Sequence, residues 1–268
     1  MKIYEVKLTE NASFTAYIAD PIKDYIRPAM LVIPGGGYGG LASDREGEPI
    51  ALAFIAAGFN AFVLKYSVGR TAAYPTQLIE ASLAIANIRD NADEYDIDTA
   101  RVFAVGFSAG GHLCGMLGTM WHKQCVTDAG IEYGKNRPTG VMLIYPVVTG
   151  LHDFAHIGSF MNLLCTDTPS EEQLREVSLE TNVTDKAVPM FVVHTSNDQV
   201  VDVRNALVLG EAYRKNGVLF EMHIYPDAPH GIALANEITR CGNAKWCDPQ
   251  KAKWVDAAVA WSRGAASV

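Results

Sequence analysis

A β-rich run, Val102-Phe103-Ala104-Val105, enters the turn Gly106-Phe107-Ser108-Ala109-Gly110 and leaves it on a helical pattern. A strand that turns so sharply into a helix leaves its central residue in strained backbone. A Cβ on the residues two before and two after that centre would collide with the neighbouring strand and helix, so glycine is required at 106 and 110. In return the turn exposes the Ser108 hydroxyl at a helix N-terminus, where backbone N–H groups and the helix dipole favour a developing negative charge. Ser108 is the leading nucleophile candidate. Alone, the pentapeptide fits a glycine-bordered loop as well as a catalytic turn, and its surroundings have to decide.

From about residue 29 short apolar runs alternate with longer helical patterns, the order expected of a mostly parallel sheet flanked by helices. The pattern places strands at 2–8, 12–19, 29–34, 59–65, 101–107, 140–145, 189–195 and 218–225, the first two forming an antiparallel start. Helices fit at 47–57, 75–91, 108–120, 203–216 and 249–262, with Pro75 suited to a first turn. Residues 150–187 exceed a simple crossover and mix Phe154, Phe160, Met161, Leu163 and Leu164 with acidic side chains. Either a small cap over the C-terminal edge of the sheet or a crossover helix with a long loop accounts for them. A chain of 268 residues that is 49% hydrophobic and free of linker-like stretches is expected to form one α/β domain.

A serine hydroxyl needs a base, and the base needs an acid to hold its tautomer. In hydrolases with this strand–turn–helix serine the chain order is Ser, then Asp or Glu, then His, the last two on loops after late strands. Asp198 follows the apolar run at 191–194, and His230 lies in a Pro- and Gly-bordered loop after the run ending at Tyr225. Asp202, expected to begin the next helix as its N-cap, and Asp185, which precedes its strand, are weaker acids. His194 and His223 fall inside strand patterns, and His112 is carried on the helix after the turn, where its side chain is poorly aimed at Ser108. His152 and His156 could share a helix face, but they lack a third metal ligand.

Acyl transfer also requires preformed donors for the carbonyl oxygen. Ala109 offers one amide, and the run Pro34-Gly35-Gly36-Gly37-Tyr38 after the first parallel strand offers others. A phosphate-binding reading of these glycines is poorer. No Gly-Lys-Ser/Thr follows, and no acidic residue stands where a ribose would be held.

At this point the chain resembles α/β-hydrolases of the esterase/lipase group, and among them small bacterial acetyl esterases related to acetylxylan esterases. The resemblance spans nearly the whole chain. It rests on Pro34-Gly35-Gly36-Gly37-Tyr38, on Ser43-Asp44-Arg45-Glu46-Gly47-Glu48-Pro49-Ile50-Ala51, on Val63-Leu64-Lys65-Tyr66-Ser67-Val68 and on Gly106-Phe107-Ser108-Ala109-Gly110-Gly111-His112-Leu113. It implies the α/β-hydrolase fold and a serine carboxylesterase that removes acetyl or other short acyl groups from sugars or oligosaccharides. Ser108 would be the nucleophile, Asp198 the acid and His230 the base, with oxyanion donors at Gly36, Gly37 and Ala109. Pro34 departs from the His-Gly-Gly-Gly of many relatives in the wider group, which leaves open which glycines donate. Arg45, Glu46 and Glu48 either hold that loop or rim the pocket, or form a solvated helix start. Tyr38, Tyr66 and Tyr145 either line a sugar site or pack at strand ends. An amidase, formamidase or peptidase of the same fold is the near alternative, and a catalytically silent binding protein the distant one.

The net charge of −8 supplies no basic stripe and argues against nucleic acid. No cofactor or metal is implied by a triad. The strand-like N-terminus lacks a signal-peptide core, which predicts a cytoplasmic protein with no membrane partner. Five cysteines in an odd, unpaired set suit reduced thiols, with a Cys241–Cys247 bridge as the alternative. Oligomeric state is left open.

Overall fold

The computed structural model describes residues 1–70 and 72–265. Eight strands form one sheet: β1 (Lys2–Lys7), β2 (Ser13–Ile18), β3 (Arg27–Ile33), β4 (Asn60–Lys65), β5 (Ile97–Phe107), β6 (Gly140–Ile144), β7 (Met190–Thr195) and β8 (Phe220–Tyr225). They lie in the order β1-β2-β4-β3-β5-β6-β7-β8. β2 pairs antiparallel with β1 and β4, and every later pairing is parallel. Each expected strand is present within a few residues.

Residues 29–33 of β3, 102–107 of β5 and 140–144 of β6 are apolar and buried because both faces of the sheet are covered there. Ala29, Leu31 and Ile33 of β3, with Val102 and Ala104 of β5, enter one core layer. Helices Thr76–Asp90, Ala109–Met120 and Arg204–Lys215 cover it. The alternate residues Met30, Val32, Phe103, Val105 and Phe107 enter the other layer, beneath helices Glu48–Ala56 and Trp254–Ala265. Period-2 alternation thus divides each strand between two cores. Because β3, β5, β6 and β7 are mutually parallel, the loops that leave their C-terminal ends share one edge of the sheet. The site is built there.

The boundaries that differ have local causes. The last helix begins at Trp254 rather than 249, because Asp248 Oδ1 accepts the Gln250 and Lys251 amides and starts a 3-10 turn first. Pro75 occupies the N-cap of its helix, one position before the first turn. Residues 150–187 contain three short helices, Ile157–Leu163, Glu171–Val177 and Leu179–Asn182, in place of one crossover helix. Ser170 and Gln173 close the second of them with a reciprocal capping box. All five cysteines are free thiols, so the Cys241–Cys247 bridge is not formed. Among the described residues no helix is long and apolar enough to cross a membrane.

Candidate active site

β5 delivers Ser108 into the turn at φ 52°, ψ −118°, a conformation that costs a non-glycine residue about 1–3 kcal/mol. Its neighbours show why glycine flanks it. A Cβ at Gly106 would lie 2.2 Å from the Gly110 carbonyl oxygen and 2.6 Å from Cys114 Cβ. A Cβ at Gly110 would lie 2.3 Å from the carbonyl oxygens of both Ile33 and Pro34. The strained turn is held by the Ser108 amide, which donates to Ile144, and by the Ser108 carbonyl, which accepts from His112 and Val147.

The loops after β7 and β8 bring Asp198 and His230 to that hydroxyl. Asp198 Oδ2 accepts the His230 Nδ1 proton at 2.7 Å, and Ser108 Oγ stands 2.9 Å from His230 Nε2. With Nδ1 protonated toward the carboxylate, Nε2 is the acceptor for the serine proton. The Asp198 side chain is wholly buried and that of His230 is 14% exposed. Burial works to raise the Asp198 carboxyl, but the His194 and His230 rings beside it and the Val200 amide outweigh that and hold it well below the usual carboxylate range. Its Oδ1 accepts the amides of Val200 and Val201 at 2.9 and 3.0 Å, which fixes the carboxylate plane.

The weaker candidates are engaged elsewhere. Asp202 accepts the Arg204 amide at the start of the next helix, and Asp185 is exposed in a turn ahead of β7. His194 donates from Nε2 to the Val201 carbonyl, and His223 pairs with Glu221 on the surface. His152 stacks on Phe154, while His156 meets Ser159 Oγ at 2.9 Å. Among the described residues no group of three or more His, Cys, Asp or Glu side chains is placed to hold a metal.

Among the described residues the amides of Gly36, Gly37 and Ala109 donate to no protein acceptor. Gly36 and Gly37 both have positive φ, 129° and 62°, and at Gly36 a Cβ would meet the Gly40 carbonyl oxygen at 2.2 Å. The loop is braced from three sides. Glu46 Oε2 accepts the Gly35 amide at 2.8 Å, Tyr66 donates to the Pro34 carbonyl at 2.9 Å, and Asn162 Nδ2 donates to the Gly37 carbonyl at 2.9 Å. Glu46 therefore holds the loop from within, Glu48 accepts from Tyr17 on the surface, and helix Ile157–Leu163 presses on the glycines from outside.

The structure corrects the reading of Tyr38 and Tyr145 as sugar contacts. Tyr38 is 1% exposed, and its hydroxyl donates to His112 Nδ1 at 2.8 Å. The other nitrogen of His112 donates to the Val177 carbonyl at 2.8 Å, so the ring is neutral and fastens the loop to the 150–187 segment. Burial pushes this imidazole down to about 4. Tyr145 is 2% exposed, donates to Glu46 Oε1 at 2.9 Å and accepts the Ala233 amide at 3.0 Å. Both rings, like Tyr66, are consumed by internal bonds that a sugar cannot share. Arg45 is different: half-buried, it lies 4.5 Å over the Trp246 ring and beside Gly231, the residue after His230. The roles of Tyr38, Tyr145, Trp246 and Asn162 emerge only from tertiary contacts, since their signals in the sequence are those of ordinary packing or loop residues.

Comparison with known proteins gives the chain its family and fold. The BD-FAE family matches residues 16–213, which carry the glycine loop, Ser108 and Asp198, and the Dienelactone hydrolase family matches residues 174–262, which carry Asp198 and His230. An endo-1,4-beta-xylanase B of Butyrivibrio fibrisolvens is 39% identical over 219 residues, covering 80% of this chain and 34% of that protein. An acetylxylan esterase of Xylanibacter ruminicola is 28% identical over 212 residues, covering 77% and 41%. The chain thus spans about a third to two fifths of the length of these two relatives. The crystal structure of an acetyl ester-xyloside bifunctional hydrolase from Caldicellulosiruptor lactoaceticus superposes with a TM-score of 0.83 at 32% identity, covering 97% of this chain and 96% of that one. By the extent of the first match and by this shared architecture, the chain belongs to the BD-FAE family and has the α/β-hydrolase fold.

Proposed function

We propose that this protein is a serine esterase that removes acetyl or similarly short acyl groups from a sugar or short oligosaccharide. The observation that carries the reading is the continuous hydrogen-bonded path from Asp198 through His230 to Ser108, beside amides at Gly36, Gly37 and Ala109 that are free to receive an oxyanion. Ser108 Oγ attacks the ester carbonyl as His230 Nε2 takes its proton. Asp198 keeps the imidazole oriented and stabilises its charged form. Negative charge on the carbonyl oxygen meets the Ala109 amide and one or both glycine amides, each such donor being worth about 3 kcal/mol in the transition state. Collapse expels the alcohol, which His230 protonates, and leaves an acyl group on Ser108. Water, activated by the same histidine, then releases the acid and restores the serine.

The sugar part of the proposal draws on the acetylxylan esterase and the acetyl ester-xyloside hydrolase among the relatives. A panel of p-nitrophenyl esters of increasing acyl length, followed by acetylated xylo- and manno-oligosaccharides, aryl formamides and peptide amides, tests it. The expected result is fastest turnover of acetyl esters and release of acetate from the oligosaccharides. Preference for formamides or amides would replace the esterase reading, and binding without turnover of any ester would remove it.

A further inference from the structure

Three loops meet behind the reacting atoms, and one buried carboxylate joins them. Glu46, 2% exposed, ends the short helix Ser43–Glu46. Its Oε2 accepts the Gly35 amide from the glycine loop, and its Oε1 accepts the hydroxyl of Tyr145, which follows β6. The Tyr145 oxygen in turn accepts the amide of Ala233, three residues past His230. The Tyr145 ring also stands edge-on to the His230 imidazole, with 4.9 Å between centroids. Gly35 is pressed equally close to the serine: a Cβ there would lie 3.0 Å from Ser108 Cβ and 2.6 Å from the Phe107 carbonyl oxygen.

The backbone supplies an independent observation. Tyr145 and Ala233 have φ of 40° and 48°, in the left-handed region, and Gly36, Gly37 and Tyr38 also have positive φ. Such conformations persist only where the surroundings over-determine them. Here the link from Glu46 through Tyr145 to Ala233 ties one strained segment to the next. A buried carboxyl is costly unless its oxygens are satisfied, and both are satisfied by donors that belong to the site.

We propose that Glu46 and Tyr145 are positioning residues for the reaction at Ser108: by fastening Gly35 to Ala233 they hold the oxyanion loop and the base loop at one spacing. This rests on the serine-esterase reading. Neither side chain touches substrate. Both act through the amides and the imidazole that do, where a displacement of about 1 Å can reduce turnover about a hundredfold.

Glu46→Gln keeps the volume but leaves one acceptor oxygen for two donors: with that oxygen on the Gly35 amide, its NH2 group faces Tyr145, whose hydroxyl proton is left without its acceptor. Tyr145→Phe removes the same link from its other end. For each variant kcat on p-nitrophenyl acetate, per site titrated with an organophosphorus probe, is expected to fall about tenfold to a hundredfold while KM changes little. Affinity for a trifluoromethyl ketone, whose adduct places an oxyanion in the hole, is expected to fall by the same factor as kcat/KM. The double variant is expected to lose less than the product of the two. A merely structural role would lower the melting temperature and leave kcat per titrated site within about twofold of the parent, and that result would overturn the proposal. If Glu46→Gln does not fold, Tyr145→Phe decides by the same criteria. A parent protein that fails to label at Ser108 would overturn the esterase reading, and this proposal with it, before any variant is compared.

Discussion

Asp198→Asn isolates the part of the site that sets the tautomer of His230. The carboxylate receives three donors: the Val200 and Val201 amides on Oδ1, and His230 Nδ1 on Oδ2. An asparagine can keep its oxygen toward the two amides, which turns its NH2 group toward Nδ1. Two donors then face each other, and the imidazole relieves this by moving its proton to Nε2, the atom that must accept from Ser108. The flipped amide would restore an acceptor for His230 but would aim NH2 at two N–H groups, that of Val201 buried and that of Val200 half-buried. Losing two such hydrogen bonds costs about 2 kcal/mol or more, so the first orientation wins. With the wrong tautomer fixed, kcat is expected to fall about ten thousandfold, or about 5 kcal/mol, with KM nearly unchanged. Steady-state turnover of p-nitrophenyl acetate between about pH 6 and 9, alongside a urea melt showing that the variant is folded, measures this. A folded variant with kcat within about tenfold of the parent would refute the role given to Asp198.

Gly110→Ala would set a Cβ 2.3 Å from two backbone oxygens that cannot swing away, so a loss of about 1–3 kcal/mol in urea denaturation is expected, with turnover impaired as the serine turn parts from the glycine loop. Unchanged stability and activity would contradict the close approach. His112 is buried as the neutral ring and held at about 4 against an unfolded value of about 6.5. The unfolded chain therefore takes up this proton first as pH falls, so the stabilisation is present above about 6.5 and is lost on acidification toward 4. On the order of 2 kcal/mol is expected to disappear between pH 7 and pH 5, read from urea midpoints at the two pH values. His112→Gln should flatten that difference, and an unaltered acid slope in the variant would show that other groups cause it.

The main strands and long helices were readable in the sequence because each carries its own apolar pattern. Residues 29–33 of β3 and 102–107 of β5 are apolar runs since both faces are covered, and helix Arg204–Lys215 keeps Leu209 and Tyr213 on one buried face. The serine turn was legible for a steric reason, the glycines at 106 and 110. Asp198 and His230 were legible through their order after late strands. What the sequence hid is reciprocal packing. Tyr38 and Tyr145 are amphipathic side chains at loop positions, and only the approach of His112 and Glu46 assigns their hydroxyls inward. Glu46 itself reads as one acid in a charged helix start until its two donors arrive from residues 35 and 145. The irregular stretch between 232 and 253 has no period to detect, and its course depends on single bonds such as that from Trp254 Nε1 to the Ala233 carbonyl.

Peptide mapping by mass spectrometry after treatment with a serine-directed organophosphorus probe tests the central claim most directly. The expected result is one adduct on Ser108 whose formation parallels the loss of ester turnover, with no adduct and no turnover in Ser108→Ala. An adduct on another residue, or turnover that survives full labelling of Ser108, would contradict the mechanism.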